Sequence, residues 1–184
     1  MEKLLNDAQF FKLLLMVDAD LAQDAQRAGC ARCGAKLHRG NYKRLPRGGP
    51  VGDWRYSFCC SRCRRRKTPS SVRFLGRKVY VGVVVVLASA MLHGLNAQRV
   101  ERLRQVLAID ERTLKRWRSW WLETFVPSSF WKGARARFSP ALHELQMPLC
   151  LVEAFGVVGC ESMSKLLQFL SPITIGAFPG GGDM

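Results

Sequence analysis

No stretch of this chain is apolar for the roughly 20 residues that a bilayer-spanning helix requires. The longest apolar run, Val79 to Leu92, falls short of that and reads as a buried helix, so a membrane partner is not expected. The first residues, Met1 to Asp20, are apolar but broken by Asp7, Lys12 and Asp18, which does not match the continuous apolar core of a secretory signal. A reducing, cytoplasmic location in association with the nucleoid is expected, where thiols stay free of disulfides. Internal repeats are absent. Acids are scarce: Asp and Glu number 14 against 29 Lys and Arg, and Asp53 is the single acid between Gly29 and Lys78. The resulting net charge of +15 points to a polyanionic partner, with nucleic acid ahead of an anionic membrane surface. Only three histidines are present, and His143-Glu144 lacks the second histidine of a zinc-protease helix.

Cysteine, by contrast, is plentiful. Cys30-Ala-Arg-Cys33 and Cys60-Ser-Arg-Cys63 form two C-x2-C pairs. Each pair can offer two thiolates from one tight turn, and together they complete the four-sulfur shell of a structural zinc. One zinc ion is expected, acting as a fold element, because so small and polar a segment buries too little apolar surface to fold on that alone. Two alternatives touch this assignment: Cys59 in place of Cys60, which breaks the two-residue spacing, and His38 in place of a cysteine. Cys150 and Cys160 lie in apolar surroundings and read as core thiols.

The pattern along the chain predicts an α+β fold, mostly α. Residues 1–28 read as an N-terminal amphipathic helix or helix pair, with Leu5, Phe10, Leu13, Leu14, Val17 and Leu21 near helical spacing. Residues 29–78 read as a basic zinc ribbon, in which Trp54, Tyr56 and Phe58 alternate with Arg55 and Ser57 as on a half-buried strand after a turn at Pro46 to Gly52. Residues 79–127 read as a helix-turn-helix domain, with helices at Ala97 to Leu107, capped by Asn96, and Glu111 to about Thr124, capped by Asp110 and stopped by Pro127. Residues 128–184 carry a basic patch at Lys132, Arg135 and Arg137, apolar segments and a Gly-rich tail expected to be disordered.

Candidate nucleic-acid contacts fall in two groups. Arg62, Arg64, Arg65, Arg66, Lys67 and Arg73 follow the second cysteine pair as a cationic ridge suited to phosphates. On the helix beginning at Glu111, Leu114, Trp117 and Trp121 define a buried stripe. That stripe leaves Arg112, Lys115, Arg116 and Ser119 outward, where a recognition helix places its base and phosphate readers. An ordinary helical hairpin with a solvated cationic face is the alternative. Trp120 lies off the stripe and reads as a packing residue.

The order of parts resembles the N-terminal zinc-ribbon and helix-turn-helix region of bacterial insertion-sequence transposases: C-x2-C, a spacer, an aromatic strand into C-x2-C, Arg-rich Thr-Pro-Ser-Ser, an apolar helix, then a helix-turn-helix ending Thr-Leu-Lys-Arg-Trp. The likeness covers about Gly29 to Thr124. It implies DNA binding at the ends of a mobile element, with Cys30, Cys33, Cys60 and Cys63 at the family's metal-ligand positions. The family's nuclease domain, with its three separated carboxylates, does not follow in this chain, where Glu123, Glu144, Glu153, Glu161 and Asp183 lie in too short a stretch. The expectation is therefore a non-enzymatic, zinc-dependent duplex-DNA-binding component, serving transposition as accessory or regulator beside a separate transposase. An RNA-binding or ribonucleoprotein-associated ribbon, and a scaffold recruiting a larger enzyme through the C-terminal half, are the competing classes.

Overall fold

The computed structural model describes residues 2–45, 47, 53–75, 80–91, 101, 109–156 and 159–175. Its architecture is α+β with helix predominating and two small antiparallel sheets. The chain divides into two compact units, residues 2–82 with 167–176, and residues 83–166 with the chain ends. The N-terminal helix and the cysteine-bearing segment fall in the same unit.

In the first unit, a short helix α1 (Glu2–Leu5) leads into α2 (Ala8–Arg27). Asp7 caps α2, its carboxylate accepting the N–H groups of Gln9 and Phe10 at 2.9 and 3.1 Å. The buried stripe of α2 is Phe10, Leu14, Asp18 and Ala22, spaced at i+4. An aspartate in the middle of an apolar stripe needs partners, and Asp18, fully buried, has three. Its carboxylate accepts from Ser71 Oγ at 2.6 Å, Val72 N at 2.7 Å and Arg73 Nε at 2.8 Å. Ser71 N in turn donates to Thr174 Oγ1 at 2.9 Å. The sequence pattern placed Asp18 among polar interruptions; the structure places it in the core.

Five short strands follow: β1 (Leu37–Arg39), β2 (Tyr42–Arg44), β3 (Asp53–Arg55), β4 (Phe58–Cys60) and β5 (Arg66–Lys67). They form a sheet of order β1-β4-β5 and a β2-β3 pair, all antiparallel. The single alternating strand expected through Trp54, Tyr56 and Phe58 is thus two strands broken at Tyr56 and Ser57, where Ser57 N donates to Asn41 Oδ1 at 3.1 Å. The phase also differs from expectation in β3, where Trp54 is exposed and Arg55 is buried. Arg55 faces inward because its guanidinium donates to Pro69 O at 2.5 Å and lies over the buried Phe74 ring.

In the second unit, α3 (Gly82–Met91, entering this unit at Val83) is a helix despite four successive valines. Val83 to Val86 are all buried, so packing on every side outweighs the strand preference of β-branched residues. Helix α4 (Glu111–Ser119) starts at Asp110, which accepts Arg112 N at 2.8 Å, and continues as a π-helical turn over Trp120–Phe125. Short helices α5 (Ser129–Ala134) and α6 (Leu149–Ala154) precede α7 (Cys160–Leu170), whose last turn belongs to the first unit. A chain of ring contacts, Trp120–Trp121–Phe125–Trp131–Phe138–Phe155, at 4.8 to 6.0 Å between centroids, fills this core. Trp120 packs edge-on against Trp121, as expected. The helix expected at Ala97 to Leu107, with its Asn96 cap, and most of the Pro46 to Gly52 turn lie outside the described residues, as does the Gly-rich tail. Among the described residues no helix is long and apolar enough to cross a membrane.

Candidate metal centre and its basic surround

Two turns of like construction carry the four cysteines. In the first, Gly34 N donates to Cys30 O at 2.8 Å and Cys30 N to Ala35 O at 3.0 Å. In the second, Arg64 N donates to Cys60 O at 3.2 Å and Cys60 N to Arg65 O at 2.9 Å. Gly29 opens the first turn at φ +69°, and a Cβ there would sit 3.1 Å from Gly34 O, so a side chain at this position would be strained. Ser61 N donates to Lys36 O at 3.0 Å, and Leu37 registers with Cys60 across β1 and β4, which brings the turns together.

The four Sγ atoms of Cys30, Cys33, Cys60 and Cys63 lie within 4.8 Å of one another, with Cys30···Cys63 and Cys33···Cys60 both at 3.5 Å. A tetrahedral zinc with Zn–S of about 2.3 Å sets its sulfurs about 3.8 Å apart. The residues present therefore fit one metal ion. Ionisation within the cluster is unequal. The backbone N–H of Cys63 helps draw the Cys60 thiol down to about 6. At Cys63 the backbone N–H of Arg65 pulls the other way, but burial and the neighbouring sulfurs win and push that thiol up to about 11. Crowded sulfurs resist shared negative charge, and a cation at their centre removes that conflict.

The centre is also the core of its surroundings. Ala22, Leu37 and Phe58 are buried against the cysteines, with Ala25, Ala35 and Tyr56 packed beside them. Helix α2 is thus one wall of the site. Gln26 Nε2 donates to Leu37 O at 3.2 Å, and Lys67 Nζ donates to Ala25 O and Gly29 O at 3.2 Å each. Cys59 lies on β4 with its Sγ towards Arg64 O at 3.4 Å, outside the four-sulfur group, and His38 is exposed on β1. Cys150 is buried and Cys160 half-buried, and neither belongs to that group.

The expected nucleic-acid residues separate by placement. Arg62, Arg64, Arg65 and Arg66 are exposed around the second cysteine turn. Lys67 instead closes the C-terminal end of α2, where a cation meets orphan carbonyls and the negative end of the helix dipole. Arg73 is 2% exposed, ion-paired with Asp18, and donates to Trp54 O at 2.8 Å, so its guanidinium is enclosed rather than presented to a phosphate. On α4 and the π-helical turn that continues it, Leu114, Trp117 and Trp121 are buried and Arg112, Lys115, Arg116 and Ser119 exposed. Lys115 pairs with Glu111 at 2.8 Å, Arg116 donates to Thr113 Oγ1 at 3.1 Å, and Ser119 donates to Glu123 at 3.3 Å. These are surface contacts, readily exchanged for a ligand.

Sequence reasoning did not single out two features. Phe74 is ringed by the guanidiniums of Arg44, Arg55 and Arg73 at 5.0 to 5.7 Å from its centroid, and burial holds Arg44 and Arg55 below the usual arginine range. Within residues 83–166 an apolar groove of about 670 Å³ is lined by Leu122, Val126, Trp131, Phe138, Leu142 and Leu145. Lys132, Arg135 and His143 stand at its lining, with Glu144 held by Trp131 Nε1 at 2.7 Å and by Arg135. No family model, no curated protein and no solved structure matches this chain.

Proposed function

We propose that this chain is a non-enzymatic, zinc-dependent DNA-binding protein, serving a mobile element as an accessory or regulator of transposition. The observation that carries the reading is the joining of the four-cysteine centre to Arg62, Arg64, Arg65 and Arg66, exposed on and directly after the turn that supplies two of its sulfurs. A zinc ion there would turn a basic segment into a rigid ribbon, so that its cations meet phosphates without first losing their freedom. Helix α4 supplies a second basic face, and Arg112, Lys115 and Arg116 are the side chains assigned to a major groove. The partner is duplex DNA, with structured RNA as the competing ligand. The test is an anisotropy titration of the zinc-loaded chain with duplex DNA and structured RNA over a salt series. Preference for duplex, with a steep inverse dependence on salt, is expected. Affinity that ignores salt, or a preference for the RNA, would overturn the reading.

The apolar groove favours a second reading, in which the C-terminal half docks a segment of a separate transposase. Leu145, 71% exposed at that groove, is the side chain to change. Loss of transposase binding in Leu145→Asp, with DNA affinity unchanged, is the expected result under that reading.

A further inference from the structure

All five tryptophans lie among the described residues, and four of them, Trp117, Trp120, Trp121 and Trp131, are buried or half-buried. Trp54 is 49% exposed, on strand β3. The register explains how it comes to be outside. Tyr42 pairs with Arg55 and Lys43 with Trp54 across β2 and β3, so Tyr42, Arg44 and Arg55 share one face while Lys43 and Trp54 share the other. Arg44 and Arg55 lie over Phe74 on the inward face. Lys43 and Trp54 therefore project outward together, with Lys43 Nζ 5.8 Å from the indole centroid.

This outward indole stands on a fixed base. Its own carbonyl accepts Arg73 Nη2 at 2.8 Å, and Arg73 is locked to the buried Asp18 at 2.8 Å. Core contacts thus hold the strand in place while the ring remains half in solvent. On the opposite face of β2, Tyr42, 37% exposed, has the guanidinium of Arg66 from β5 at 6.0 Å from its ring. Exposed aromatic rings attended by cations, in a segment where the sequence places one acid between Gly29 and Lys78, fit a flat, π-faced, negatively charged ligand.

From this arrangement we infer that the Lys43–Trp54 face is a stacking platform for an unpaired base, with Lys43 on the adjoining phosphate. The inference rests on the nucleic-acid reading above and narrows it: the favoured ligand is duplex DNA carrying a single-stranded tail, as occurs where strands have been cut or opened. A base inside a duplex has no free face for the indole, so the platform adds affinity only where a base is unpaired.

The experiment titrates the zinc-loaded full chain and its Trp54→Ala and Trp54→Phe variants with three probes: a blunt duplex, the same duplex with an unpaired tail, and the tail alone. Melting temperature and zinc content are measured for each variant. Trp54→Ala is expected to weaken tailed-duplex and tail binding by roughly 5- to 150-fold, the range given by loss of one base–aromatic stack, with blunt-duplex affinity kept. Trp54→Phe should retain most of the effect. Photocrosslinking from a 5-iodouracil in the tail should map to Trp54, a readout that a merely structural tryptophan would not give. Equal losses on all probes, or no loss on the tailed ones, overturns the inference and leaves duplex binding standing. Absence of binding to every probe by the unaltered chain overturns the nucleic-acid reading itself.

Discussion

Arg64 occupies in the second cysteine turn the place that Gly34 occupies in the first. Each follows the second cysteine, each donates its N–H to the carbonyl of the first, and each has a left-handed backbone, φ +58° for Arg64 and +67° for Gly34. Glycine adopts that conformation freely, whereas a residue with a Cβ is strained there by about 1 to 2 kcal/mol. Arginine at such a position, with its side chain exposed, suggests a use for the guanidinium that offsets the strain.

The first prediction follows from that pair. Arg64→Gly should keep one zinc per chain and leave stability unchanged or higher by up to about 1 kcal/mol, since relief of strain is partly cancelled by a more flexible unfolded chain. It should also weaken DNA binding and flatten the logarithmic salt slope by about 0.9, the value of one phosphate contact. Urea melts paired with a salt titration provide the check. An unchanged slope would show that Arg64 meets no phosphate.

Zinc itself is the subject of the second. Elemental analysis should find one zinc per chain, and Cys60→Ser should lose it. Because Ala22 and Ala25 of α2 pack on the cysteines, the damage should extend beyond the two turns. Removal of the metal by a chelator is expected to expose the N-terminal helix to protease as well as the ribbon, and readdition of zinc should restore protection. Full protection of α2 in metal-free protein would mean that the helix packs without the centre.

The third concerns Asp18. Replacing it with Ala leaves Arg73 buried without its carboxylate, a change of about 3 to 5 kcal/mol for a buried pair that loses one partner. The loss of the Ser71 and Val72 hydrogen bonds acts in the same direction. Equilibrium unfolding should show this, and a cost below about 1 kcal/mol, as at an exposed site, would contradict the burial.

Much of the metal site was legible because its information is local: two cysteines two residues apart define a turn, and two turns define a shell. The buried face of α4 was legible for the same reason, since Leu114, Trp117 and Trp121 repeat at helical spacing. What escaped depends on partners distant in sequence. Asp18 meets Arg73 across 55 positions, and Lys67 meets Ala25 across 42. Only the i+4 placement of Asp18 between Leu14 and Ala22 hinted at its burial. The alternation of Trp54, Tyr56 and Phe58 does not show which side of β3 is buried, because that is decided by Arg44 and Arg55 lying over Phe74.

A fourth prediction uses Cys150. Burial pushes this thiol up to about 11, so its thiolate is rare near neutral pH. Iodoacetamide at pH 8 should leave it unmodified in the folded protein and modify it in denaturant. The sign for stability follows: a pKa above the unfolded value of 9.0 favours the native state below pH 9, and that contribution is lost as pH rises through about 11. Rapid labelling of native Cys150 at pH 8, located by peptide mapping, would show that the thiol reaches solvent.

The fifth prediction concerns where sequence is read. Arg112 and Arg116 are exposed on α4 while Leu114 between them is 2% exposed, so the helix presents both guanidiniums on one side of a fixed stripe. A bidentate contact from arginine to guanine discriminates between bases by roughly 1 to 3 kcal/mol, whereas a phosphate contact scarcely discriminates. Arg112→Ala and Arg116→Ala should therefore reduce affinity for a selected duplex by about 5- to 150-fold while changing affinity for a scrambled duplex much less. Leu114→Ala is the structural control, with an expected loss of about 2 to 5 kcal/mol in stability. Paired titrations with both duplexes at one salt concentration decide the matter. Equal losses on both would make α4 a clamp on the phosphate backbone, with sequence read elsewhere. If neither arginine matters while Leu114→Ala still unfolds the protein, α4 is architecture alone, and the nucleic-acid surface contracts to the cysteine turns with Arg62, Arg64, Arg65 and Arg66.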